Sequence, residues 1–498
     1  MTRPGYAGRP ACSIIPPYLL RALAASGDPH LAAHAEATLR HDALHHRHRH
    51  GEHGVLPGAR SRVVGPRGTP AGPSRSIHDA GGGELLPGRL VRAEGQPPTD
   101  DPAVTEAYDG LGATWELYAT AYGRNSLDDR GLGLVATVHY GTDYDNAFWD
   151  GSQMVFGDGD GEVFLRFTRS VDVIGHELTH GVTQFTSGLN YQDQSGALNE
   201  SVSDVFGVLT AQRLRGQGAA EAGWLVGADL LAPGVAGVAL RSMRAPGTAY
   251  DDPRLGRDPQ PSRMSGYVET TDDNGGVHIN SGIPNHAFYL LATALGGNAW
   301  EVPGRIWYDT ITGDIRADCD FDTFARLTVG TAERRHGAGS AEARAVEEAW
   351  REVEVLEPAA AATGPTEGSG DVGHRGRSGP SGEDASAVPT PETAVEVRRT
   401  GGVAGVTRQR TVTLGELPDP DTERWQRVLA QGVLRRLAAR AEGAEHPDAF
   451  CYGVRCERPP VDVTIPEPAL DHEVKALLDR TLRHRSPADP PTAPPPAG

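Results

Sequence analysis

Four side chains in one stretch, Val171 to Gly207, could do chemistry together. His176 and His180 stand four residues apart, so on a helix both imidazoles lie on one face and reach a single metal ion. Glu177 follows the first of them, and Glu200 comes after a segment long enough to turn round and send a second helix back. Two histidines and one carboxylate leave zinc's fourth tetrahedral position for water, the arrangement of a catalytic site; a structural zinc would close all four positions. The chemistry implied is metal-assisted attack of water, with Glu177 placed as a base. Asp204, four residues beyond Glu200 on the same helix face, is placed to accept the outer N–H of a liganding imidazole, and Asn199 belongs to the same supporting layer. Downstream, Asp273 precedes His278 by five residues across a tight Asn-Gly-Gly turn and can fix that imidazole.

The elements that must position these groups follow a lobed pattern. Pro102 to Tyr122 reads as helix, with Val104, Tyr108, Leu111, Trp115, Tyr118 and Tyr122 on one face. Val135–Tyr140, Asn146–Trp149, Gln153–Phe156 and Glu162–Phe167 read as strands. Gly157 to Gly161 reads as a hairpin turn, since it lacks the remaining ligand positions of a calcium loop. After Gly207 the pattern is helical at Val208–Arg215, Asn285–Leu295, Trp300–Thr312, Asp320–His336 and Ala341–Glu352. The expected fold class is α+β: a β-rich N-terminal lobe, a central metal-bearing helix and a helical lobe.

The remainder divides around this body. Residues 1–53 hold an extended piece, Cys12 to Pro17, and a helical stretch from Tyr18, too small for a domain alone. The end of that stretch, HDALHHRHRHGEH, has six histidines and reads as a solvated helix end or a metal-capture segment. Residues 54–76 are rich in Gly, Pro and Arg and read as a cleavable linker. The lobes take 77–207 and 208–357. Residues 358–393 carry too little apolar surface to fold and read as a 36-residue linker spanning on the order of 30–36 Å. Residues 394–485 show two strands, a helix (Arg424–Arg440), two more strands and a last helix (Ala469–Arg483), a small α+β domain; 486–498 read as a disordered tail.

The 498 residues carry a net charge of -19, which argues against nucleic acid as a partner. No apolar run approaches the roughly 20 residues that span a membrane. The start is a poor signal peptide. The four cysteines make no disulfide framework, and Cys451 and Cys456 read as unlinked thiols, although their spacing also allows a pair.

The motifs HELTH, GALNESVSD and DNGGVHINSGI, with NAFWDGSQMVFGDGDG upstream, resemble the thermolysin family of zinc metallopeptidases from about Ile77 to Glu357. The resemblance implies one catalytic zinc on His176, His180 and Glu200, with Glu177 as general base. Tyr191 and His278 would stabilise the oxyanion, and Asp273 would be the partner of His278. It also implies a peptide substrate that adds as a strand at Asn146 and Ala147, gripped by Arg241, with Phe164, Phe167, Val173, Val226 and Leu240 walling the pocket beyond the scissile bond. These walls are apolar, so cleavage is expected on the amino side of bulky hydrophobic residues. Asp172 is kept from the family's paired calcium site, but Ala211, Leu225 and Ala228 stand where carboxylates are expected, so that site is largely lost. The stretch Ile14 to Leu20 resembles the short propeptide of the protealysin-like subgroup, whose members lack a standard signal peptide; secretion by a non-standard route, or a cytoplasmic location, follows. Cys12 could cap the zinc as a thiolate or be a spectator. VEVRRTGGVAGVTRQRTV and PDAFCYGVRCE resemble the protealysin inhibitors called emfourins. The expected partners are therefore protein substrates, the chain's own propeptide and its inhibitor-like domain, the latter restraining the protease or serving adhesion or stability. The alternative overall function is a regulatory binding protein in which that module dominates and proteolysis is residual.

Overall fold

The computed structural model describes residues 12–50, 72–357, 389–400, 408–430, 432–441, 451–456, 461–470 and 472–483. The end of the N-terminal stretch (51–53), the 54–71 part of the first linker, most of the second (358–388) and the C-terminal tail lie outside the described residues, as do the side chains of Cys12 and of the α2 histidines after His41. The chain forms two units, Met1–Thr363 and Gly364–Gly498.

The first unit opens with β1 (Cys12–Ser13), α1 (Pro17–Ala24) and α2 (Pro29–His50). β2 (Arg75–Asp79), β3 (Arg89–Ala93), α3 (Pro102–Tyr122), β4 (Leu134–Val138), β5 (Ala147–Trp149) and β6 (Met154–Phe156) follow. β2 takes in Arg75 and Ser76, which the sequence pattern assigned to the linker. The six strands form one sheet in the order β1-β5-β6-β4-β2-β3, parallel between β2, β4 and β6 and antiparallel elsewhere. β1 therefore closes the edge that β5 would otherwise present. α3 begins where Asp101 caps it, accepting from Ala103 N and Val104 N, with Pro102 at its first position.

Glu162–Phe167 forms no strand. Asp160 Oδ1 accepts from the backbone N–H groups of Glu162, Val163 and Phe164, so these donors are taken by a carboxylate instead of a neighbouring strand. Only an isolated bridge from Phe164 to Leu231 remains, and the Gly157–Gly161 turn consequently joins no hairpin.

α4 (Val171–Phe185) and α5 (Asp193–Arg215) form the centre. From Asp172 to Thr183 every residue of α4 is buried, because the helix runs through the unit with packing on all sides. α5 is one helix through Arg215. Its Gly207 does not end it but permits close approach: a Cβ there would stand 2.3 Å from the Asp172 carbonyl oxygen, and a Cβ on Gly175 would stand 3.0 Å from Gly207 Cα. That proximity carries Glu200 to the histidines of α4.

Short ladders follow, β7 (Leu225–Val226) on β8 (Arg241–Ser242) and β9 (Asp251–Asp252) on β10 (Gly256–Arg257), then α6 (Asp273–Asn280), α7 (Gly282–Leu295), α8 (Val302–Ile311), α9 (Phe321–His336) and α10 (Ala341–Glu352). One hydrophobic core joins the lobes, and Ile14, Ile15, Leu19, Leu20, Leu23 and Leu31 are part of it. Each buried aliphatic of this size contributes about 1.5–3 kcal/mol over exposure, so the N-terminal segment is held chiefly by apolar burial.

In the second unit, β11 (Ala394–Thr400), β12 (Arg408–Thr413), β13 (Cys451–Cys456) and β14 (Val461–Pro466) form an antiparallel sheet in the order β12-β11-β13-β14. The helix expected over Arg424–Arg440 is two, α11 (Asp419–Ala430) and α12 (Val433–Ala441), parted at Gly432, and the last, α13, spans His472–Arg483. Trp425, Tyr452, Ile465 and Leu478 lie in a core of its own. Cys451 and Cys456 stand five apart on β13, hence on opposite faces, and form no disulfide. Among the described residues no helix is long and apolar enough to cross a membrane.

Candidate metal centre and peptide cleft

His176 and His180 on α4 and Glu200 on α5 bring one ligand atom each within 4.8 Å of one another, and all three are buried. His176 Nδ1 lies 2.8 Å from Asp204 Oδ1, and His180 Nδ1 lies 2.9 Å from Asn199 Oδ1. Carboxylate and amide oxygens only accept, so both Nδ1 atoms carry the hydrogen and both Nε2 lone pairs face inward, 3.0 Å apart. Glu200 Oε2 is 3.5 Å from His176 Nε2, and Glu200 Oε1 is 3.5 Å from His180 Nε2. Lone pairs and a carboxylate converging on one buried point repel unless a cation is shared among them. The donor set therefore fits zinc. Burial, with His176 and His278 nearby, lowers the His180 pKa to about 3 even though Glu200 opposes this. Burial works against the Glu200 charge, yet His278, His176 and His180 hold its carboxyl at about 2.

Glu177 projects from α4 towards β5. Its Oε2 accepts from Trp149 N at 3.0 Å, and its Oε1 is buried without a hydrogen-bond partner. Burial and the neighbouring Glu200 charge push its carboxyl well above the usual range.

Tyr191 Oη donates to Glu200 Oε1 at 2.5 Å and lies 3.2 Å from His278 Nε2. His278 is set by a left-handed turn: Asp273, Asn274, Gly275 and Gly276 have φ of 52°, 51°, 84° and 73°. The turn folds Asp273 back so that Oδ1 meets His278 Nδ1 at 2.6 Å and Oδ2 accepts from His278 N at 3.0 Å. A Cβ on Gly275 would stand 2.1 Å from Asp193 Oδ1, so that position needs glycine for space as well as for φ. His278 Nε2 lies 3.1 Å from the Ser13 carbonyl oxygen, an acceptor only. With acceptors on both ring nitrogens the ring is an imidazolium; burial pulls its pKa down, but Asp273 and Glu200 lift it to about 9.

Asp204 joins this centre to the cleft. Arg241 Nε and Nη2 donate to its two oxygens at 2.8 and 2.7 Å, and Asn285 Nδ2 donates at 2.8 Å. The guanidinium and His176 hold the Asp204 carboxyl well below the usual carboxylate range against the effect of burial. Ser203, whose hydroxyl is 3.1 Å from His180 Nδ1, and Asn285 escaped the sequence reading. Asn285 lies three residues beyond the DNGGVHINSG run, at the start of a helix pattern, the one signal that could have drawn attention to it.

The N-terminal segment lies in the cleft. β1 pairs antiparallel with β5, Cys12 opposite Trp149 and Ser13 opposite Phe148. Ile14 N donates to Ala147 O at 3.1 Å, and Ile14 O accepts from Arg241 Nη1 at 3.3 Å. Asn146 Oδ1 accepts from Ile15 N at 2.9 Å, while its amide donates to Ile15 O at 3.3 Å and to Asp42 Oδ2 at 3.0 Å. Asp42 also accepts from Tyr144 Oη at 2.6 Å. Phe164, Phe167, Val173, Val226 and Leu240 are buried in the same core as Ile14; Val226 pairs with Arg241 across β7–β8. Asp172 is occupied otherwise: it accepts from Ser170 Oγ at 2.6 Å and Gly227 N at 2.6 Å.

Residues 90–184 match the family described as "Thermolysin metallopeptidase, catalytic domain", residues 187–355 its "alpha-helical domain", and residues 397–482 "Emfourin". The chain is 52% identical over 351 residues to an extracellular metalloprotease of Pectobacterium carotovorum subsp. carotovorum, covering 70% of this chain and 97% of that protein. It is 54% identical over 284 residues to protease PrtS of Photorhabdus sp., covering 56% and 76%. The solved precursor of protealysin, a metalloproteinase from Serratia proteamaculans, superposes with a TM-score of 0.63 at 51% identity, covering 70% of this chain and 100% of that one. Two histidines and a glutamate poised for a cation, beside a sheet edge that the N-terminal segment occupies, thus stand in a chain that belongs to the thermolysin family of metallopeptidases, in its protealysin-like branch, with an emfourin domain following the peptidase in sequence.

Proposed function

We propose that the protein is a zinc endopeptidase made as a latent precursor, cutting on the amino side of bulky hydrophobic residues. The observation that carries the reading is the His176, His180 and Glu200 cluster beside His278, whose Nε2 lies 3.1 Å from the Ser13 carbonyl of a strand paired with β5, together with the unpartnered buried oxygen of Glu177. Zinc held by those three residues supplies a Lewis acid that acidifies water and polarises a carbonyl. Glu177 takes the proton as water adds to the carbonyl carbon. The His278 imidazolium and Tyr191 hydroxyl face the developing oxyanion, and Glu177 passes the proton to the departing amine. Arg241, Asn146 and Ala147 hold the substrate backbone, a mode that reads an added strand before its side chains. The apolar Phe164, Phe167, Val173, Val226 and Leu240 favour a large aliphatic or aromatic side chain after the cut. Profiling cleavage of a denatured protein tests this; charged residues at that position would refute it. Mass spectrometry of wild type beside Glu177→Ala tests activity and maturation, with self-cleavage within residues 54–76 expected of wild type alone. The names of its relatives, extracellular metalloproteases among them, favour export.

The N-terminal segment is the first restraint. Its docking should depend on pH through Asp42, whose carboxyl burial raises from 3.8 to about 6 although Tyr144 and Asn146 oppose this. A carboxyl raised on docking binds its proton more tightly in the docked state. The Asp42 share of docking is therefore full below pH 4, falls between pH 4 and 6, and stays low above that, a range of roughly 100-fold in affinity. Once the linker is cut, activity gained on dilution should appear more slowly at pH 4.5 than at pH 7. Asp42→Asn should remove this dependence between pH 4 and 6, and an unchanged profile would exclude Asp42 as its source.

The emfourin domain is the second restraint. Tethered at about mM effective concentration, even a micromolar inhibitor occupies its site nearly always. Deleting residues 358–498 should then raise turnover several-fold after propeptide removal; equal turnover would assign the domain to adhesion or stability.

A further inference from the structure

We propose that the protein hydrolyses its own chain between Ser13 and Ile14, within one molecule, and retains the trimmed segment in the cleft. This rests on the peptidase reading above and adds to it a defined first substrate.

The peptide unit between these residues is clamped on both sides. The Ser13 carbonyl oxygen lies 3.1 Å from His278 Nε2, which is itself 3.2 Å from Tyr191 Oη and 3.5 Å from Glu200 Oε2. A carbonyl held there already faces the donors that would receive its oxygen's negative charge when its carbon is attacked. Beyond the bond, Ile14 N is tied to Ala147 O and Ile14 O to Arg241. Among the described residues no other peptide unit of the segment has its carbonyl on His278. Glu177 stands alongside, with one oxygen on Trp149 N, the residue opposite Cys12, and the other buried without a partner. Ile14, fully buried, is a side chain of the type proposed to follow the cut.

The step balances with water alone. Water's oxygen bonds to the Ser13 carbonyl carbon, both its protons pass in turn by way of Glu177 to the Ile14 nitrogen, and the C–N bond breaks. A Ser13 carboxylate and an Ile14 ammonium result.

The contacts that hold the segment lie on the Ile14 side of the cut. Asn146 grips Ile15, Arg241 grips Ile14 O, Asp42 meets Tyr144 and Asn146, and Leu19, Leu20, Leu23 and Leu31 stay in the shared core. Of the described residues, the two of β1 are lost. The cut therefore trims the precursor without activating it.

The test uses the full chain loaded with zinc, wild type beside Glu177→Ala, followed by intact mass at two concentrations tenfold apart. The expected product begins at Ile14, forms at the same fractional rate at both concentrations, and is absent from Glu177→Ala. A rate that rises with concentration means cutting between molecules and overturns the proposal. Cleavage confined to residues beyond His50 overturns it while leaving the peptidase reading intact, and no cleavage anywhere overturns both. Hydrogen exchange of Glu177→Ala gives a readout separate from turnover. The Ile14 and Ile15 amides should be protected in zinc-loaded and metal-free protein alike, and rapid exchange at Ile14 would overturn the seating itself.

Discussion

Glu177→Gln is expected to lower hydrolysis of a hydrophobic peptide by about 10²–10⁴-fold while leaving fold and zinc content unchanged. The substitution is close to isosteric. A glutamine oxygen can still accept the Trp149 N–H that Glu177 Oε2 accepts, so the tie from α4 to β5 is kept. What is lost is basicity at the other oxygen, which no neighbouring group holds. No other carboxylate substitutes for it: Glu200 is committed to His176, His180 and Tyr191, and Asp204 to Arg241 and His176. Turnover of the matured protein together with metal analysis checks this. Activity within tenfold of wild type at full zinc occupancy would remove Glu177 from the role of base.

Asp204→Ala should act on stability and on metal together. Asp204 is fully buried and receives Arg241 in a two-pronged contact, Asn285 from a second side and His176 from a third. Taking it away leaves the Arg241 guanidinium, itself 1% exposed, without its counter-charge, a loss of about 3–5 kcal/mol for a buried pair broken from one side. It also frees His176 to rotate, and supporting groups of this kind are worth roughly 10–100-fold in metal affinity or activity. Thermal unfolding of the metal-free protein reads the first effect and zinc titration the second. Asp204→Asn, which keeps the shape and one acceptor, should lose less of both. A metal-free Asp204→Ala protein that unfolds with wild type would show that Arg241 finds another partner.

The parts of the site that could be read from sequence lie within one helical repeat of each other. His176 with His180, and Glu200 with Asp204, are fixed by the 3.6-residue period, and their supporting contacts follow from it. Asp273 and His278 were readable because Asn274, Gly275 and Gly276 are residues that accept a tight left-handed turn at little cost. Contacts made by docking were not readable. The amide of Asn146 faces Asp42, more than a hundred residues earlier, and Ser13 reaches His278 only because Ile14, Ile15 and the α1 leucines choose the cleft over water. One local pattern also misled. Glu162–Phe167 suggested a strand, but Asp160 claims its donors.

The pairing of β1 with β5 has a consequence for the working enzyme. A peptidase that recognises backbone must keep one strand of its sheet unfinished, and an unfinished strand invites any extended chain, including a second copy of itself. While β1 stays in place it covers the β5 edge, which is then not offered to another chain. Losing β1 opens the β5 edge to any extended chain. The pairing that occupies β5 thus guards against edge-to-edge association as well as filling the place where a substrate strand is proposed to add.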